Sequence, residues 1–313
     1  MSDKSQIEWT DATWSPVTGC TKVSQGCKNC YAEREVETRW SKNPKSVWYG
    51  RAFTDVRCHP EALNQPLHWK KGRRIFVCPR ADLFHAHVPD KFIAQVFAVM
   101  AKCPQHTFQV LTKRAERMQF LLRSEWDWKP PYNIWMGVSI EDQDTADERV
   151  PLLLDTPGAV RWISAEPLLG PIDLRLMRSA PLWAGEGSGC AIHSSERFGL
   201  SWVVVGGESG KTARPMHPDW ARSLRDQCAA ARVSFLFKQH GAWAPACDYY
   251  SDEDSARDAA LDRPHLLITT RGNEWHVDFD GQPPIGTWIM HRTGKKAAGR
   301  LLDGVLHDAY PEA

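Results

Sequence analysis

The chain has 313 residues, enough for one large α/β domain or two smaller ones and for a sizeable buried core. With 39 Lys+Arg against 38 Asp+Glu the formal net charge is +1, so no global field draws the chain to nucleic acid or to an anionic membrane, and any nucleic-acid contact must be a local patch. No segment approaches the roughly 18–20 apolar residues of a membrane span, the polar start is not a signal peptide, and nine cysteines, an odd count with six scattered singly, argue against a disulfide framework; a cytoplasmic protein is expected.

Residues 7–19 alternate well enough for a short strand or extended arm that delivers Cys20. Cys20, Cys27 and Cys30 then fall within eleven residues, separated by six and two. We read them as an iron–sulfur cradle: three thiolates leave one coordination position open, and Gly26 lets the loop fold around one object. A zinc knuckle completed by a distant His is the alternative. Residues 31–40 read as a helix rich in Glu and Arg. Residues 41–72 are irregular and lead into the basic, aromatic stretch 68–74.

Apolar strand candidates follow at 74–78, 107–111, 133–138, 160–164, 201–205 and 233–237, separated by helical patterns at 89–103, 115–123, 142–155 and 218–231. This alternation predicts βαβ units in a parallel sheet, with enough of them for a barrel or partial barrel. Gly185 to Gly189 reads as a flexible insertion. After Gly241 the rhythm stops. An acidic stretch at 246–263 precedes a small antiparallel element at 265–270, 274–279 and 286–291 around Asp280-Gly281, and 294–304 reads as a basic helix or loop. The expected division is a barrel over 1–245 and an extension over 246–313. Fifteen tryptophans fill cores but also stack on ligands, and the excess favours a broad aromatic-lined cleft.

In a parallel sheet, ligands bind beyond the carboxyl ends of the strands, so polar residues after each apolar run carry the most weight. Six ends are polar: Asp82 with His85, Lys113 with Arg114, Ser139 with Glu141, Glu166 before Pro167, Gly206-Gly207-Glu208, and Lys238-Gln239-His240. Two glycines allow close approach to a ligand, and Glu208 beside them could accept hydrogen bonds from an ammonium group; a turn with positive φ is the plain alternative.

Cys27-x-x-Cys30-Tyr31-Ala32, Asp82-Leu-Phe-His85, Leu111-Thr-Lys-Arg114, Gly137-Val-Ser-Ile-Glu141, Ser164-Ala-Glu-Pro-Leu-Leu-Gly170, Gly206-Gly-Glu-Ser-Gly210, Phe237-Lys-Gln-His-Gly241 and Gly294-Lys-Lys-Ala-Ala-Gly-Arg300 resemble the phage-associated three-cysteine-motif family, related to radical S-adenosylmethionine (SAM) enzymes. The resemblance runs nearly end to end. It implies an α/β fold, a partial (βα) barrel of radical SAM type with a small C-terminal α+β extension. It further implies a [4Fe–4S] cluster on Cys20, Cys27 and Cys30, its fourth iron binding SAM. On that basis Ser139, Glu141 and Glu166 are assigned to SAM, with Gly206, Gly207 and Glu208 lining the same mouth. Asp82, His85, Lys113, Arg214, Lys238 and Gln239 are assigned to the substrate. The implied reaction is hydrogen abstraction from a nucleic-acid base or hypermodified thymine in phage DNA, with flavodoxin or ferredoxin as electron donor. A peptide or small-metabolite substrate and a non-catalytic zinc-stabilised module are the alternatives. Stretch 68–74, residues 126–129, and Lys295, Lys296 and Arg300 are the expected phosphate grip. Two features depart from the common superfamily pattern: the cysteines, usually spaced three and two apart with an aromatic before the last, here have a first gap of six and Asn29 at that position, and Gly206-Gly207-Glu208 follows the fifth of the six strands after the cysteines rather than the first.

Overall fold

The computed structural model describes residues 4–126, 129, 131–175, 199–249, 257, 261, 265–272, 274–275 and 283–311. Seven runs form strands: β1 (Ala12–Trp14), β2 (Arg74–Val77), β3 (Thr107–Thr112), β4 (Ile134–Ile140), β5 (Val160–Ala165), β6 (Trp202–Gly206) and β7 (Ser234–Gln239). They pair in parallel, in chain order, into one curled half-barrel sheet. Strands covered on both faces read as continuous apolar runs, which is why six of the seven stand out in the sequence. Between them lie α1 (Tyr31–Thr38), α2 (Asp90–Ala101), α3 (Ala115–Gln119), α4 (Gln143–Asp155) and α5 (Pro218–Ala231). The helix expected over 115–123 ends early and continues as a π-helical turn over Phe120–Glu125. Helix α4 starts on a capping box: the Asp142 carboxylate accepts from Thr145 N at 2.9 Å.

The pleat sends alternate residues to opposite faces. Ile75, Val77, Val138, Ile163, Val203 and Val205 meet helix residues such as Ile93, Val96 and Leu224 on the convex side. Phe76, Trp135, Trp162, Trp202, Val204 and Leu236 share the concave side with Trp9. The rings of Trp9 and Trp162, and of Trp162 and Trp202, lie 5.2 Å apart, and Trp9 and Phe76 4.7 Å. Trp162 is seated only because Gly137 faces it; a Cβ there would stand 2.5 Å from Nε1. These four tryptophans plug the amino-terminal half of the barrel, so they serve interior packing rather than the cleft that composition favoured.

The open edge of β7 is covered by the end of the chain. Phe237 N donates to His307 O at 3.0 Å and Ala309 N to Phe235 O at 3.2 Å. Tyr310 then lies 5.2 Å from the Trp202 ring and beneath Arg74 at 4.3 Å. Covering an edge this way satisfies its backbone and removes a site for unwanted pairing. A second, antiparallel sheet comprises β8 (Trp243–Asp248), β9 (His265–Ile268), β10 (Glu274–Trp275) and β11 (Trp288–Arg292), ordered β8-β11-β9-β10. Both β10 and β11 pair with β9 rather than with each other. Gly185 to Gly189, Asp280-Gly281 and most of the acidic stretch lie outside the described residues. Among the described residues no helix is long and apolar enough to cross a membrane, and the eight described cysteines are all free.

Candidate active site at the carboxyl ends of the strands

An antiparallel ribbon, Val17–Thr18 with Arg57–Cys58, carries the chain from β1 to the rim, where Gly19 bridges Ala81 beyond β2. Gly19 takes φ +95° and a Cβ there would meet Asp55 O at 2.5 Å, so only glycine suits the turn that presents Cys20. Cys20 N donates to Phe53 O at 3.1 Å. Cys27 closes a single 3-10 turn and Cys30 immediately precedes α1. Cys20 and Cys30 are half-buried against Ala32, Val36, Trp48 and Phe53.

The cysteine loop is tied to the ends of four strands. Beyond β3, Arg114 Nη1 lies 3.7 Å from Cys20 Sγ and 3.2 Å from Asp82, while Nη2 donates to Thr21 O at 3.2 Å and Thr21 Oγ1 at 3.0 Å. Beyond β2, Asp82 accepts from Thr112 Oγ1 at 2.7 Å, Phe84 N at 2.9 Å and Lys113 N at 3.1 Å. His85 Nε2 lies 2.9 Å from Thr21 Oγ1, and its Nδ1 accepts from His87 N at 3.1 Å, which assigns the proton of the neutral ring to Nε2. Beyond β4, Ser24 Oγ donates to Glu141 at 3.0 Å, and Gly26 packs so closely on that side chain that a Cβ would stand 2.4 Å from its Cγ. Beyond β6, Asn29 Nδ2 donates to Glu208 at 2.9 Å and to Thr212 O at 2.7 Å.

Electrostatics follow from this burial. Desolvation, reinforced by Asp82 and opposed by Arg114, pushes the Cys20 thiol up to about 12. Burial also raises Cys30, and Cys27 contributes charge to both. Burial, then Arg114 and His87, lowers His85 and keeps it neutral. For Glu208 burial works toward protonation, but the hydrogen bonds of Arg214 and Asn29 outweigh it and hold the carboxyl below its ordinary range.

The rim brings the sequence-predicted residues together, and besides Asp82 with Arg114, three more of its carboxylates have cations of their own. Glu141, with no exposed surface, pairs with Lys113 and, at 3.2 Å, with Arg149. Glu166 meets Lys238 at 2.7 Å and Gln239 Nε2 at 3.4 Å. Glu208 is held by Arg214 through Nε at 2.9 Å and Nη2 at 2.6 Å, and the same Nη2 donates to Gln25 O in the cysteine loop at 3.0 Å. Gly207 serves packing between turns: a Cβ would stand 2.0 Å from His240 O. The Gly206 Cβ position faces Glu166 at 3.3 Å. Ser139 pairs in register with Ser164, and by alternation both lie on the concave face, one step beyond the tryptophan layer. Ser164, Arg114, Asn29, Ser24 and Arg149 are the residues that sequence reading left unassigned. Ser164 was detectable from strand alternation, Arg114 from its place beside Lys113, and Ser24 and Asn29 from the unusual cysteine loop that carries them; Arg149 gave no signal.

The expected phosphate grip divides. Arg74 opens β2 at the opposite end of the barrel, where it pairs with Asp11 at 3.2 Å, and Arg73 stacks over Trp69 at 4.9 Å. Trp128 lies outside the described residues.

A family model described as "Protein of unknown function (DUF5131)" matches residues 4–311. The chain belongs to that family. No curated protein and no solved structure matches it. Chemically, the rim offers three free thiols, a cation against one of them, two adjacent serine hydroxyls and four cation-paired carboxylates. Among the described residues no three His, Cys, Asp or Glu side chains are grouped as around a single ion. Three free thiols carried on one loop are the donors that a cluster would need.

Proposed function

We propose that this chain is a radical SAM enzyme whose half-barrel is of the radical SAM type, with Cys20, Cys27 and Cys30 as the residues that would hold a [4Fe–4S] cluster. The observation that carries the reading is the position of three free thiols, on one loop, over the carboxyl-end rim of a parallel half-barrel. When bound, such a cluster supplies the electron for reductive cleavage of SAM and so for hydrogen abstraction from a substrate, flavodoxin or ferredoxin being the donor. The chain's own part is positional. Arg114 offsets thiolate charge at Cys20. Ser139 and Ser164 offer hydroxyls suited to a ribose, and Glu141, Glu166 and Glu208, through Lys113, Lys238 and Arg214, hold donors suited to a carboxylate. The tryptophan layer excludes water from below. The substrate class this reading takes is a nucleic-acid base, in a phage-derived cytoplasmic setting, and the buried Asp82 and His85 serve it by holding Arg114 and Thr21 in place.

Anaerobic reconstitution tests it. The loaded chain should carry about four iron atoms, and on reduction should convert SAM to 5′-deoxyadenosine. Cys30→Ala should abolish both. A colourless protein with stoichiometric zinc and no iron refutes the proposal.

A further inference from the structure

A second feature of the rim lies just outside the cysteine loop. A groove of about 650 Å³ opens between the turn after β6, helix α1 and the segment after β11, and Arg34, Lys211, Arg292 and Lys295 contribute to its lining. Among the described residues no carboxylate lines it. Arg34 donates to the neutral Ser209 O at 3.3 Å, and Arg292 donates to Gly210 O at 3.2 Å while stacking on Trp243 at 5.9 Å. Lys211 is exposed and has no carboxylate partner among the described residues. Lys295 alone reaches an acid, Glu8, at 3.4 Å. Several other surface cations are paired with acids: Arg222 and Arg225 share Asp303, Arg51 holds Asp55 and Arg80 holds Glu35. In a chain of net charge +1, a groove lined, among the described residues, by no acid and by three cations without a carboxylate partner, beside the paired Lys295, is a local positive field.

We propose that this groove seats the phosphodiester backbone of a nucleic-acid strand. The cations come from three separate segments, and the groove is open rather than enclosed, which suits successive singly charged phosphates better than one doubly charged group. Gly210, at φ +116°, makes room: a Cβ there would stand 1.7 Å from Arg34 Nη1, so any side chain would displace that guanidinium. Arg34 lies one helical turn beyond Cys30, its N donating to Cys30 O at 3.1 Å. A backbone held here therefore lies beside the cysteine rim, whereas residues 68–74 would hold it at the far end of the barrel. The inference rests on the nucleic-acid part of the proposed function and not on its radical chemistry.

The test is fluorescence anisotropy of the full chain, without SAM or reductant, using a labelled single-stranded oligodeoxynucleotide across a salt series. The wild-type chain should bind, and Lys211→Ala and the double variant Arg34→Ala/Lys211→Ala should lower the slope of log affinity against log salt by about 0.7 for each phosphate no longer neutralised. Lys70→Ala/Lys71→Ala should leave it unchanged. The inference is overturned if the oligonucleotide does not bind, if the groove variants keep the wild-type slope, or if the Lys70 and Lys71 pair carries the effect. It is also overturned if inorganic phosphate or a mononucleotide displaces the strand as effectively, phosphate for phosphate, as an unlabelled strand. Oligonucleotide binding in a chain that never cleaves SAM would sink the radical reading alone; SAM cleavage with no binding would sink only the groove.

Discussion

The three-residue clamp of Asn29, Glu208 and Arg214 gives a quantitative test of how the cysteine loop is held. Glu208's side chain is 5% exposed and Arg214's 24%, and four donors converge on the carboxylate: Arg214 N, Nε and Nη2, and Asn29 Nδ2. Arg214→Ala removes two charge-assisted bonds and the bond to Gln25 O, yet leaves the backbone N and Asn29 in place. Breaking a buried pair costs about 3–5 kcal/mol; with two donors remaining and Arg214 partly solvated, about 2–3 kcal/mol is expected. In a double-mutant cycle with Glu208→Gln, urea unfolding at neutral pH should give a coupling of about 1.5–3 kcal/mol. Hydrogen exchange should quicken at the Cys27 and Lys28 amides, which close the 3-10 turn onto Ser24 O and Gln25 O. Additive costs with no coupling, together with unchanged exchange in the loop, would refute the clamp.

The same carboxylate sets a pH window. Its folded value lies below the ordinary 4.5, so its stabilising contribution is fully present above 4.5 and is lost as pH falls through the lowered folded value. The stability difference between the wild-type chain and Glu208→Gln should therefore stay flat from about pH 5.5 to 8 and shrink in acid; a difference that disappears near neutrality contradicts the assignment. Gly207→Ala forces a Cβ within 2.0 Å of a backbone oxygen that cannot rotate away. It should cost about 3 kcal/mol and lower Tm by roughly 4–6 °C, whereas Gly199→Ala, with nothing within 4 Å, should be nearly silent. Equal melting of the two variants would show that the turns after β6 and β7 are not packed as described.

Much of this molecule is local information. The strands at 74–77, 107–112, 134–140, 160–165, 202–206 and 234–239 are legible because a sheet covered on both faces demands unbroken apolar runs. The polar rim is legible because most of the candidate residues sit in the last positions of a strand or in the turn that follows it, and the three cysteines because their spacing is short. The tertiary structure decided the rest. Glu141 meets Lys113 and Ser24, and Glu208 meets Asn29, across separations of 28, 117 and 179 residues, and no pattern in the chain marks such partners. Arg34, Lys211, Arg292 and Lys295 look like scattered solvated charges until three distant segments meet, while the dense basic run at 68–74 falls at the end of the barrel opposite the cysteines. Composition counts the tryptophans without saying which way they face; strand pleating and the curl of the sheet turned four of them inward. Local periodicity specifies elements, but which charges are neutralised and which remain free depends on long-range closure of the sheet.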